Sequence, residues 1–301
     1  MIKIRFSKTS RLIFSSLLTI FIFIFLFWHI DSSAVFRTIK NCDRFLIIQA
    51  LFLSLWSNIF VNALRCREIL SAFDVSLSLF ETILLKGGGS LFKTFLPARS
   101  GEFVMTAVYL KNIKNFPCQY SFLIIIFEYF LNFTALAFLS LTGILFSSIH
   151  ISPGAILSYP AGYVLSFQRD ILKKWTQEIK MASPVFQALS LRGSIILYTF
   201  LYMGVELVTF HLIARSLNMA IPFKTILLLI PAAFLLSSLP LTLGGLGQRE
   251  CAIVFLFSPY APAEQLLSAG ILYSFIENLC PLLINAFLTG LSINKLWKGG
   301  G

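Results

Sequence analysis

A chain of 301 residues that is 57% hydrophobic and only 12% charged, with mean hydropathy +0.84, excludes a soluble globular domain, because such a domain covers itself with far more charge. The net charge of +11 argues against a nucleic-acid face, since the Lys and Arg residues fall between apolar runs rather than along one surface. The positive-inside bias of membrane proteins and attraction to anionic lipid headgroups account for it.

In chain order, Leu12 to Trp28 follows Lys3, Arg5, Lys8 and Arg11 and reads as a signal anchor that leaves the cytoplasmic side over about 12–30. The loop 31–44 is short and mixed in charge, and a second span, 45–64, returns to Arg65 and Arg67. The next apolar piece, 77–96, holds Lys86-Gly87-Gly88-Gly89 and Lys93 and ends at Leu96-Pro97-Ala98-Arg99-Ser100-Gly101. A short segment, 102–110, then leads to Lys111 and Lys114. Neither arm is long or apolar enough to span, and both flanks are basic, so the pair predicts a re-entrant hairpin entering from the inside. A third span, 120–146, goes out, and a broken piece at 154–167 comes back to a basic cytoplasmic loop over about 168–193. A span at 194–216 goes out again. The pair 223–238 and 246–258, with few cations beside it, predicts a second hairpin entering from the outside. The last span, 265–292, returns to Lys295 and Lys298.

The chain also repeats itself. Phe80-Glu81-Thr82-Ile83-Leu84-Leu85 returns as Phe223-Lys224-Thr225-Ile226-Leu227-Leu228, Pro97 as Pro240 and Gly101 as Gly244, all 143 positions apart. Glu102 and Glu250 follow, and a further acid comes 26 and 27 positions later, Glu128 near Asn132 and Glu277 beside Asn278. The fold class expected is an all-α polytopic membrane protein of about six to eight spans, two of them re-entrant hairpins. It forms one transmembrane domain over 1–301, with repeat one at 45–146 and repeat two at 194–292 in inverted orientation. Inverted repeats with broken helices place a site near the midplane.

Ionisable groups inside a bilayer cost about 2.5–3.5 kcal/mol each on insertion scales and mark function by default. Lys86, Lys93, Arg99, Glu102, Glu128, Glu206, Arg249, Glu250 and Glu277 all fall there. The spacing predicts that Arg99 with Glu102 and Arg249 with Glu250 put opposite charges together at the two turns, and that Glu128 and Glu277 face the hairpins and pair with the turn cations. Gly101, Gly244, Gly245 and Gly247 are expected to take φ > 0 or to admit a close backbone. The alternative is that these charges only neutralise one another and lock the hairpins into the bundle. The cysteines (Cys42, Cys66, Cys118, Cys251, Cys280) are odd in number and show no metal spacing. No cofactor and no Walker-type phosphate loop are expected.

Leu96-Pro97-Ala98-Arg99-Ser100-Gly101-Glu102, an acid in the next span, and Leu239-Pro240-Leu241-Thr242-Leu243-Gly244-Gly245-Leu246-Gly247-Gln248-Arg249-Glu250 resemble the lysylphosphatidylglycerol synthase transmembrane-region family, also called flippase-like integral membrane proteins. The resemblance covers nearly the whole chain. It departs from the family pattern in the third span, where Glu128 is followed by Tyr129 and then Asn132 rather than by Arg and a second acid. The resemblance implies the lipid-translocating half of such a synthase without the soluble synthetic half. The expected role is a flippase for a phosphate-bearing lipid or lipid-linked sugar in the cytoplasmic membrane, with both termini inside. Partners would be a phospholipid, glycolipid or polyprenol phosphate, with a lipid-modifying enzyme or a second copy as further options and no nucleic acid. A non-transporting partner of a lipid-linked glycosyltransferase and a membrane-embedded headgroup transferase are the other readings.

Overall fold

The structure, a computed structural model, describes residues 8–73, 75–95, 100–114, 118–146, 192–237, 242 and 245–298. The expected span at 154–167, most of the loop at 168–193, the turn residues Pro97, Arg99, Pro240 and Gly244, and the side chain of Lys93 lie outside the described residues. Every regular element among those described is a helix.

Helix α1 (Lys8–His29) is followed by α2 (Ser32–Lys40) at an angle of 89°. The loop expected at 31–44 is therefore largely helical. Asp31 starts α2 by accepting the Ser33 N–H, and Asp43 starts the next helix by accepting those of Phe45 and Leu46; each cap satisfies donors that a helix start leaves open. That next helix, α3 (Arg44–Ser71), is one continuous span with a π-helical turn at Ser57–Val61. It runs seven residues past the predicted end at 64.

The two hairpins follow as α4 (Leu79–Phe95) with α5 (Ser100–Lys114), and α8 (Phe223–Ser237) with α9 (Gln248–Phe257). The long apolar helices α6 (Cys118–Phe146) and α7 (Gly193–Ser216) lie between them in sequence. Helix α10 closes the chain as Ala263–Ser274, a π-helical turn at Phe275–Leu279, and Cys280–Lys298. Four of these helices are long and apolar enough to cross a membrane, and α1 with α2 forms a bent fifth candidate. At ~1.5 Å per residue, α1 is ~33 Å long, enough for a hydrocarbon core. Phe21, Trp28, Phe52, Phe138, Leu197, Phe255 and Phe287 stand exposed on the outside of the bundle, the arrangement of a chain whose solvent is lipid.

Neighbours in the bundle exchange when the halves are exchanged. The first spans α3 and α7 pack together, each first hairpin arm packs on the last span of the other half (α4 on α10, α8 on α6), and each second arm packs on the last span of its own half (α5 on α6, α9 on α10). Small residues permit the crossings. A Cβ on Gly143 of α6 would lie 2.7 Å from the Leu228 backbone of α8, and one on Gly87 of α4 would meet Asn285 of α10 at 3.0 Å. The Gly87-Gly88-Gly89 run does not break α4. Its three faces admit Asn285, Met105 and Glu102, and this close contact between helices offsets the roughly 1 kcal/mol that each glycine costs a helix relative to alanine.

Gly143→Ala is thus expected to push α6 and α8 apart and to destabilise by about 1–3 kcal/mol, the usual range for overpacking. Thermal unfolding of the detergent-solubilised protein measures it, and a melting temperature equal to wild type would show that this crossing has slack.

Candidate functional site

The bundle interior holds two charged clusters, one per half, joined by a polar seam. In the first, Lys86 of α4 forms ion pairs with Glu102 of α5, at 3.3 Å, and with Glu128 of α6. The three side chains are at most 14% exposed. The Tyr129 hydroxyl donates to the second Glu102 oxygen at 2.9 Å. The partner of Glu128 is therefore Lys86 in mid-helix, not a turn cation as the spacing predicted. One ammonium serves two carboxylates, and Glu128 Oε1 has no protein partner.

The second cluster matches the first in how its helix-start acid is held. Glu102 is the third residue of α5 and Glu250 the third residue of α9, so each acid sits in a first turn, where a helix favours negative charge. Glu250 accepts the Gly247 N–H at 2.7 Å and the Ser274 hydroxyl, as Glu102 accepts Tyr129 from the following span. A glycine faces each acid, Gly89 opposite Glu102 and Gly270 opposite Glu250. Gly245 and Gly247 do adopt φ of +80° and +82°; a Cβ at Gly245 would also meet the Ser237 carbonyl at 2.8 Å. Gly101 instead lies in the first turn of α5.

Arg249 does not form the expected ion pair with Glu250. Consecutive helix residues point about 100° apart, and Glu250 turns back to its own cap. The Arg249 guanidinium lies over the rings of Phe234 and Tyr273, at 5.5 and 5.3 Å from their centroids, a cation–π arrangement. Its Nε has no hydrogen-bond partner.

The seam between the clusters joins two residues expected from the sequence, Asn132 and Glu277, through others that sequence reasoning passed over. Arg65, read as the cytoplasmic flank of span two, is 3% exposed. Its guanidinium donates to Asn132 at 2.5 Å and Asn62 at 3.0 Å and lies 5.1 Å from the Tyr202 ring centroid. The Tyr202 hydroxyl donates to Asn58 at 3.2 Å, and the Asn58 amide donates to Glu277 Oε2 at 2.8 Å. Asn58 and Glu277 each sit in a π-helical turn, and the turns are held together by the Ser54 hydroxyl on the Ile276 carbonyl at 3.0 Å. Such turns mark functional positions in helices. A signal for the seam was present: Ser54, Asn58, Asn62 and Arg65 recur every three or four residues through an apolar segment, the spacing that marks one face of a regular helix. Glu277 is 8% exposed, and its Oε1 has no protein partner. Asn278, by contrast, bonds only within its own helix, to the Ser274 carbonyl.

A buried carboxylate with one oxygen unmatched can receive a proton or the donor of a polar ligand, since leaving it bare costs about 1–3 kcal/mol or more. Glu128 and Glu277 present two such oxygens, one in each half. Among the described residues, no group of three or more His, Cys, Asp and Glu is placed to hold a metal ion.

No curated protein matches the chain. The family model described as lysylphosphatidylglycerol synthase TM region matches residues 12–284, from α1 well into α10, and this multi-pass membrane protein belongs to that family.

Proposed function

We propose that the protein carries a polar, phosphate-bearing lipid from one leaflet to the other, the headgroup passing between the two hairpins while the acyl chains stay in lipid. One observation carries the reading: buried polar groups extend from Lys86, Glu102 and Glu128, by way of Asn132 one turn on in α6, to Arg65, Tyr202, Asn58 and Glu277. A pair of charges that only locked a fold would not need a path joining the halves. Membership of a lipid-handling family supports the same reading. The basic flanks of α4 and α5 and the cation-poor flanks of α8 and α9 support opposite sidedness of the hairpins, with both termini cytoplasmic in a cytoplasmic (inner) membrane. Alternate opening of the two hairpins would then expose the seam to one leaflet at a time.

The test is movement of fluorescent headgroup-labelled phosphatidylglycerol and phosphatidylethanolamine across liposomes holding the purified protein, read by a membrane-impermeant quencher. Transport predicts a fluorophore pool that becomes accessible faster than in protein-free liposomes. Rates equal to those of protein-free liposomes, for both lipids and for a labelled polyprenol phosphate, would remove the translocase reading.

A further inference from the structure

Four buried atoms on the acids and arginines of the interior have no protein partner among the described residues. Glu128 Oε1 and Glu277 Oε1 are acceptors; Arg65 Nε and Arg249 Nε are donors. The rest of each group is already held. Glu128 Oε2 is on Lys86 and Glu277 Oε2 on the Asn58 amide. The terminal nitrogens of Arg65 donate to Asn132 and Asn62, and the Arg249 guanidinium is seated on the rings of Phe234 and Tyr273. The bare atoms are thus fixed in place. Glu128, Glu277 and Arg65 are all buried, so bulk water does not reach them. A bare polar atom in such a place calls for a partner that the chain itself does not supply.

The bare atoms fall into two donor–acceptor pairs. Asn132, which Arg65 bonds, lies four residues after Glu128 in α6. Tyr273, which Arg249 covers, lies four residues before Glu277 in α10. Each arginine is therefore anchored about one helical turn, roughly 5 Å, from its glutamate. A ligand that completes such a pair carries an acceptor for the guanidinium and, a few bonds away, a donor for the carboxylate. In ethanolamine and glycerol headgroups two carbons separate the phosphate ester oxygen from the first N–H or O–H, and a phosphate suits a guanidinium. We infer that the cargo is a phosphodiester lipid whose headgroup carries an N–H or O–H donor. Arg65 or Arg249 takes a phosphate oxygen, and Glu128 or Glu277 takes the donor. The pairs are closed off in this conformation, and a headgroup meets them as a hairpin opens. Choline carries the same charges as ethanolamine but has no donor, and would leave the carboxylate bare. That the ligand is a lipid in transit rests on the translocase reading.

Native mass spectrometry of the detergent-solubilised full chain reads this selection without transport. The lipids titrated are phosphatidylethanolamine, its N-methyl and N,N-dimethyl derivatives, phosphatidylcholine and phosphatidylglycerol. Across the first four the ammonium charge is constant while the N–H donors fall to none. The expected result is comparable binding as long as one N–H remains, then a drop of at least about tenfold at phosphatidylcholine, the size for a hydrogen bond to a charged group left unmade. Phosphatidylglycerol binding like phosphatidylethanolamine admits hydroxyl donors as well; binding like phosphatidylcholine restricts the donor to ammonium. Glu128→Gln and Glu277→Gln in one chain are expected to abolish the drop. Each glutamine keeps its oxygen on Lys86 or Asn58 and presents an amide N–H where the bare oxygen stood. Equal binding of phosphatidylcholine and phosphatidylethanolamine by the wild type overturns the inference, as does a steady decline with each methyl, which is the mark of bulk. In liposomes the rates are expected to follow the same order. Lipid movement without this selection overturns the inference and keeps the translocase reading. Selective binding with no movement of any lipid leaves the headgroup site standing and removes the translocase reading instead.

Discussion

Replacing Lys86 with methionine is expected to destabilise the protein by about 3–5 kcal/mol, the usual cost of removing one partner from a buried ion pair. The size follows from the number of acids left behind. Glu102 and Glu128, with side chains 14% and 5% exposed, would both lose the ammonium that joins α4, α5 and α6. Methionine fills nearly the volume of the lysine stem, so the loss reads out charge rather than a cavity. Thermal unfolding in detergent measures it. Adding Glu102→Gln and Glu128→Gln to the same chain is expected to restore most of the loss, because no bare carboxylate then remains. A single variant that melts with the wild type would mean that the two carboxylates are solvated or protonated where they stand, and the ion-pair account would be wrong.

Glu128→Gln and Glu277→Gln are expected to slow lipid movement at least about tenfold, equivalent to roughly 1.4 kcal/mol on the barrier, with the fold retained. Glu128→Gln leaves Lys86 paired with Glu102, one charge against one. Glu277→Gln keeps a side-chain oxygen to accept the Asn58 amide. Neither variant strands an ion, so stability is expected to stay within about 1 kcal/mol of wild type. Measuring melting and transport on the same preparations separates the roles. Wild-type transport in both variants would make the carboxylates structural, as in the reading where the charges only hold the hairpins in place.

The spans and hairpins were legible because a bilayer imposes length and apolarity on every crossing element. The helix expected from 45 starts at Arg44, and the arm expected at 223–238 is Phe223–Ser237. The constant offset through the two first arms pointed to Glu102 and Glu250 as counterparts, and each is the third residue of its helix, α5 and α9. What escaped was side-chain direction. Arg65 looked like the end of a span, since a cation after an apolar run normally marks the water boundary; only the seam of Asn62, Asn132 and Tyr202 shows why it lies inside. Arg249 and Glu250 are neighbours in sequence, and the helix separates them. The glycine run in α4 has no local explanation, since glycine disfavours a helix; its justification is three partners distant in sequence. Helix α2 was missed because nine residues with Arg37 and Lys40 are too few and too polar to register as a span.

A π turn is, in geometric terms, one residue inserted into an α-helix, and each insertion advances the phase of everything beyond it by about 100°. Helices α3 and α10 each carry one such insertion, at Ser57–Val61 and Phe275–Leu279. Residues before and after the insertion thereby share one neighbour and differ in the other: Ser54 and Asn58 bond to α10, Arg65 bonds to Asn132 of α6, and Asn58 and Arg65 both meet Tyr202 of α7. Excising one residue from either turn would leave a sound, apolar, full-length helix whose second half faced the wrong way. An indel at the centre of either span would therefore re-aim the buried polar groups beyond it, away from the partners that now satisfy them.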